Sequence, residues 1–160
     1  MRLMTARPLT AEAFAPYGEV LAAPREFGRT YIEQRLANGR PTAAPSLSFS
    51  LAKPIASLPL HATQMERHEF SSQSFVPMDP GRWFVIVAPM AANDGPDENR
   101  VEAFVAEPGQ GVTYGMNVWH HPLSVIGDPI RFAIFMWLER SRTDEEFVLL
   151  AEPFQVHLNP

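Results

Sequence analysis

Two stretches of the chain carry residue types able to do chemistry. In Met65–Gly81, MERHEFSSQSFVPMDPG, Glu66 and His68 stand two positions apart; in Gly109–Leu123, GQGVTYGMNVWHHPL, His120 and His121 are adjacent in a chain with only 5 histidines. Side chains alternate between the faces of a strand, so a strand over 64–70 projects Glu66 and His68 from one face and Met65 and Arg67 from the other. By the same alternation His120 and His121 point opposite ways, and His121 is expected on an outer face or at an interface. A carboxylate among imidazoles has two chemical uses. Neutral imidazoles with a carboxylate bind a divalent metal. Without a metal, the same groups form a general acid and base whose pKa values burial moves toward neutrality. The competing structural readings are a solvated polar stripe for Glu66 and His68, and for His120 a core histidine satisfied by a backbone carbonyl.

The elements that must position these residues are short. Sixteen prolines and nine glycines, spread along the chain, cut it into segments that suit an all-β sandwich or barrel and exclude long helices. Thr10–Phe14 reads as a helical turn capped by Thr10 and stopped by Pro16. Strand patterns follow over 18–21, 46–51, 63–70, 73–78, 82–88, 102–106, 111–114, 122–126 and 130–139. The strict alternation of Ser46-Leu-Ser-Phe-Ser-Leu51 marks a half-buried strand. Residues 27–45 read as loop, with at most one strand around 30–32, and 96–100 as a polar connection. Residues 144–150 suit either a short helix or a return strand. No linker or repeat divides the chain, so residues 1–160 are expected to form a single domain.

Composition narrows the function. The net charge of −5 comes without a cluster of Lys and Arg, which argues against nucleic acid or an anionic membrane as partner. Zero cysteines exclude disulfides and thiolate metal sites and fit a reducing compartment. No apolar run reaches the roughly 18 residues of a membrane helix, and the N-terminal residues lack a signal-peptide core. A soluble, cytoplasmic protein is expected.

The spacing resembles that of the cupin superfamily, small β-barrels marked by two motifs. The first, His-x-His then Glu then Gly, corresponds to Glu66-x-His68, Gln73 and Gly81. The second, Gly then Pro-x-Gly then His, corresponds to Gly109, Gly115-x-Asn117 and His120. Glu66 and Gln73 replace the first His and the Glu of the first motif, and Gly115 and Asn117 replace the Pro and Gly of the second. More specifically, ERHEFSSQSFVPM, the run Trp83–Pro89 and VEAFVAEPGQGVTYGMNVWHHPL resemble the ureidoglycolate lyase family over roughly residues 60–138, with an echo in LTAEAFAPYGEV. Residues 27–60 match that family poorly, and Gly115-Met116 departs from some members.

The resemblance implies a cupin-like β-barrel of jelly-roll type with one or two short helical segments, and a homodimer. It implies a lyase that splits ureidoglycolate into glyoxylate and urea, with Glu66, His68 and His120 as catalytic residues. A divalent metal, nickel first, would be held by Glu66, His68, Gln73 and His120; a metal-free acid–base pair stands beside it. Gln73 and Tyr114 are expected to contact substrate, although Tyr114 equally suits a core aromatic. The substrate's carboxylate calls for a cation, from Arg29, Arg35, Arg82 or Arg131, whereas Arg67 lies on the wrong face. Phe104, Trp119, Phe132, Phe135 and Trp137 are expected in the barrel core and the dimer contact. Two alternatives are a cupin module that binds a small acid without turnover and a cupin enzyme acting on a related ureido or hydroxy acid.

Overall fold

The computed structural model describes residues 2–159, almost all of them in strands, turns and loops. The strands are β1 (Arg2–Thr5), β2 (Arg7–Pro8), β3 (Gly18–Leu21), β4 (Ala44–Ala52), β5 (Leu60–Arg67), β6 (Gln73–Pro77) and β7 (Arg82–Ala88). They continue with β8 (Glu102–Ala106), β9 (Gly111–Tyr114), β10 (Trp119–His120), β11 (Ser124–Ile126), β12 (Ile130–Leu138) and β13 (Glu146–His157). The one α-helix among the described residues, α1 (Ala11–Phe14), starts where Thr10 Oγ1 accepts the Ala13 N–H at 3.2 Å. Glu98–Arg100 and Arg142–Asp144 form single 3-10 turns.

Two sheets face each other. The eight-stranded sheet runs β1-β13-β5-β10-β7-β8-β2, with β11 also on β7; the five-stranded sheet runs β3-β9-β6-β12-β4. This is a β-barrel of cupin type. The run WFVIVA in β7 explains how the larger sheet is sandwiched, because both its faces are apolar. Trp83, Val85 and Val87 join Phe75, Phe104, Val112, Phe132 and Tyr114 between the sheets, whereas Phe84 and Ile86 join Met65, Trp119 and Phe154 on the other side. His120 pairs with Val87 across β10 and β7, so its side chain shares the interior face.

Several local expectations are corrected. Residues 30–32 form no strand; further along the same segment an isolated bridge joins Asn38 to Ser71, just ahead of β6. Of residues 144–150, Asp144 closes a 3-10 turn and Glu146 onward forms the return strand β13. The serine–apolar alternation of β4 is inverted relative to a core-facing strand. Ser46, Ser48 and Ser50 pair with the inward positions Met136, Ile134 and Phe132, while Leu47, Phe49 and Leu51 point outward at 65%, 70% and 66% exposure. Phe104, Trp119 and Phe132 are buried, and Phe135 and Trp137 are half-buried.

Candidate active site

The site is assembled by pairing across the sheets. Two-residue β10 is wedged between β5 and β7, setting His120 opposite Glu66, and His68 follows just after β5 ends. Gln73 opens β6 opposite Tyr114 of β9 and Met136 of β12. The turn that feeds β10 is pinned by Asn117, whose φ of 64° is a conformation that Asn tolerates better than most residues. Its N–H donates to the His68 carbonyl at 2.9 Å, and its Oδ1 accepts from Arg67 at 3.1 Å.

Ligating atoms of Glu66, His68 and His120 all lie within 4.8 Å of one another. Glu66 Oε1 is 3.3 Å from His120 Nε2, close enough for charge attraction but outside hydrogen-bond alignment. The imidazoles of His68 and His120 have centroids 5.5 Å apart, and the Tyr114 ring stacks on His120 at 4.1 Å and 11°. All five side chains are enclosed: Glu66 is 9% exposed, Gln73 8%, His68 5%, Tyr114 2% and His120 1%.

The proton positions follow from the outer partners of each ring. His68 Nδ1 donates to the Asp144 carbonyl at 2.8 Å, and His120 Nδ1 donates to the Val118 carbonyl at 2.9 Å. Each neutral ring then turns a bare Nε2 lone pair inward, and neither Nε2 has a hydrogen-bond partner among the described residues. Gln73 Oε1 is buried and unpartnered too, its Nε2 resting on Met136 Sδ at 3.7 Å. Acceptors thus converge without a donor, and a divalent cation is the complement they lack. Imidazoles locked by Nδ1–H to backbone carbonyls are the usual arrangement of metal-binding histidines. The residues present fit a divalent metal.

The charges agree with this arrangement. Burial by itself raises the pKa of Glu66, but His120 beside it, with the imidazoles of His68 and His121, outweighs it and holds the carboxyl below its ordinary value. Burial lowers His68, helped by His120, against the pull of the Asp144 carbonyl and Glu66. Burial, with Glu66 nearby, pushes the Tyr114 hydroxyl far up, so it stays protonated.

The structure brings none of the four candidate arginines to this cluster. Arg82 and the inward Val87 differ by an odd number of positions on β7, so Arg82 lies exposed on the opposite face at the far strand end. Arg131 likewise faces outward on β12 and is held by Asp79 at 2.6 Å. Arg29 is exposed beside Tyr31, and Arg35 donates to the Ala15 carbonyl. Arg67, on the face opposite Glu66, clamps Asp94 and Glu146 and lies 4.6 Å over the Trp119 ring. His121 faces away from His120 and shares Ser124 Oγ and the Pro122 carbonyl. Sequence reasoning missed the Asp144 carbonyl and the Val118 carbonyl. Backbone acceptors leave no residue-type signal, and their roles emerge only from tertiary contact.

The fold and site together define a cupin-type barrel with a buried two-histidine, one-carboxylate centre. The sequence matches the family model described as ureidoglycolate lyase over residues 1–157. It is 36% identical over 159 residues to a putative ureidoglycolate lyase of Agrobacterium fabrum, covering 99% of this chain and 98% of that one. It is also 36% identical over 167 residues to a ureidoglycolate lyase of Mesorhizobium japonicum, covering 99% of each. A dTDP sugar isomerase of Desulfovibrio desulfuricans shares the fold with a TM-score of 0.52 at 18% identity, over 82% of this chain and 81% of that one. The chain belongs to the ureidoglycolate lyase family.

Proposed function

We propose that the protein cleaves ureidoglycolate to glyoxylate and urea. Family membership supports the substrate, and one observation carries the chemistry: the bare Nε2 atoms of His68 and His120 converge on Glu66 inside the barrel. Ureidoglycolate carries a hydroxyl, a carboxylate and a ureido nitrogen on one carbon. Ionised Glu66 takes the hydroxyl proton. The oxygen's electron pair closes the aldehyde C=O as the C–N bond breaks, with the bonding electrons leaving on the ureido nitrogen. The proton passes from Glu66 to that nitrogen, so urea and glyoxylate depart without any oxidant or water. Gln73 offers its amide to the ureido group, and Tyr114, by stacking on His120, keeps the imidazole plane fixed.

Glu66, His68 and His120, with the amide oxygen of Gln73, are the groups that would hold a divalent ion, for which nickel is our choice. Such an ion, when bound, supplies positive charge to the hydroxyl and carboxylate oxygens of the substrate. That charge is the more needed because Arg82 and Arg131 face away.

Purified protein incubated with ureidoglycolate is expected to release glyoxylate and urea in equal amounts. His68→Ala and His120→Ala should each lower the rate by about 10²-fold or more; unaltered release by either would remove this site from the reaction. Ureidoglycolate binding without turnover would favour the sensor reading, and turnover of a different ureido acid alone would favour the related enzyme. Metal analysis of protein purified without chelator identifies the ion.

Residues 1–160 act, in this reading, as a single cupin-like domain, and two copies pair into a homodimer. The inverted alternation of β4 supports the pairing. Leu47, Phe49 and Leu51 continue across β12 to Val76 and Met78, a largely apolar sheet face edged by the Arg131–Asp79 ion pair that a second copy would cover. The cysteine-free, acidic composition supports a cytoplasmic protein whose partner is a small carboxylate rather than nucleic acid or membrane. No described helix is long and apolar enough to cross a membrane.

A further inference from the structure

The segment between β3 and β4 is sewn to the residues just ahead of β6. The Gly39 N–H donates to the Phe70 carbonyl at 2.8 Å, and the Ser72 N–H donates to the Ala37 carbonyl at 3.0 Å. The Ala37 N–H returns a bond to Ser72 Oγ at 2.9 Å. This strap delivers Arg40 to the turn at residues 139–144. Its Nη1 donates to Glu139 Oε2 at 3.1 Å and to Thr143 Oγ1 at 3.0 Å, and its Nη2 donates to Asp144 Oδ1 at 2.5 Å. The guanidinium carbon lies 5.2 Å from the Phe70 ring centroid, and the side chain is only 11% exposed. Asp144 uses the same carboxylate to accept the N–H groups of Glu139 and Ser141, both at 3.0 Å. Its backbone carbonyl is the acceptor for His68 Nδ1–H.

We propose that Arg40 is a positioning residue: it fixes the turn whose Asp144 carbonyl sets the tautomer and aim of His68. This rests on the reading that His68 Nε2 serves the site as a bare lone pair. Arg40 itself contacts neither substrate nor ion. A planar guanidinium can bond two carboxylates along separate edges, which a lysine ammonium does not reproduce. Without it, Glu139 and Asp144 are like charges at one turn with no shared cation, and the turn relaxes. An imidazole with no fixed acceptor divides between tautomers, and its Nε2–H form places a proton where the lone pair is required. His120 is the internal control, because its anchor is the Val118 carbonyl and has no link to Arg40.

The test is nitrogen NMR of the imidazoles in ion-free protein, with nickel titrations alongside. Wild type should show His68 wholly as the Nδ1–H tautomer. Arg40→Ala should show a mixture at His68, an unchanged His120, and nickel binding weaker by about 10- to 100-fold. Arg40→Lys should recover part of both. An Arg40→Ala protein with an unshifted His68 tautomer and wild-type nickel affinity overturns the proposal. So does an equal disturbance of His68 and His120, which would make the effect general. Should Arg40→Ala fail to fold, Arg40→Gln keeps most of the stem over Phe70 and is read by the same criteria. None of these readouts depends on turnover, so absence of ureidoglycolate cleavage would refute the proposed reaction and leave this result standing.

Discussion

At the scale of single residues, two buried groups set the expected pH behaviour. Glu66 is held below its ordinary 4.5, where burial is outweighed by the imidazoles, so it remains ionised down to its lowered pKa. His68 is held below its ordinary 6.5, first by burial, so it stays neutral as pH falls through 6.5. Both active forms are lost only on further acidification. The acid limb of kcat/KM, which reports groups of the free enzyme, should therefore lie below 6.5. A limb centred at 6.5 in a rate profile would show that His68 titrates like a solvated histidine, against the enclosed geometry. The shared face of Glu66 and His68 was legible from strand alternation, whereas their meeting with His120 was expected only from the cupin resemblance. The arginines were not legible. Parity alone would have turned Arg82 and Arg131 outward, had the register of β7 and β12 been known. Arg40 was illegible for another reason, since its three partners lie about a hundred positions away along the chain.

At the scale of elements, close backbone approach constrains β9. A Cβ on Gly111 would lie 2.2 Å from the Phe75 carbonyl oxygen, and one on Gly18 would lie 1.9 Å from the Thr113 carbonyl oxygen. Strand β9 is thus squeezed between β3 and β6 at two glycines, upstream of Tyr114. Gly111→Ala should cost about 1–3 kcal/mol in urea unfolding, typical of forced overpacking. Gly95→Ala, whose nearest neighbour is the Asn93 side-chain oxygen at 3.3 Å, should be close to neutral. Equal stability of the two variants would mean the strands separate more easily than their pairing suggests. Most strands were legible from proline and glycine punctuation and from period-two patterns. Strands β1 and β2 were not, being four and two residues long and paired in parallel with distant partners. For β4 the period was legible but the side was not, because alternation defines two faces without saying which one meets the core.

At the scale of the whole molecule, that outward face of β4 and β12 is where the proposed dimer would pair. Wild type is expected to sediment as a dimer, and Phe49→Asp as a folded monomer, because a carboxylate buried in an apolar contact has no partner. A wild type that sediments as a monomer at every concentration examined would assign the patch to something else. A barrel with neighbours drawn from across the chain was foreseeable in class, but an assembly surface is visible only when the solvent side of each strand is known.

The parallel pairing of β1 with β13, Arg2 beside Phe154, has a consequence for biosynthesis. The larger sheet closes only when residues 2–5 meet residues 154–157, and the turn at 139–144 that anchors His68 lies just ahead of that strand. Glu66 and His68 are therefore synthesised well before the Asp144 carbonyl that orients the second of them. Non-local closure of this kind is slow, so the His68 ring gains its anchor only late in folding.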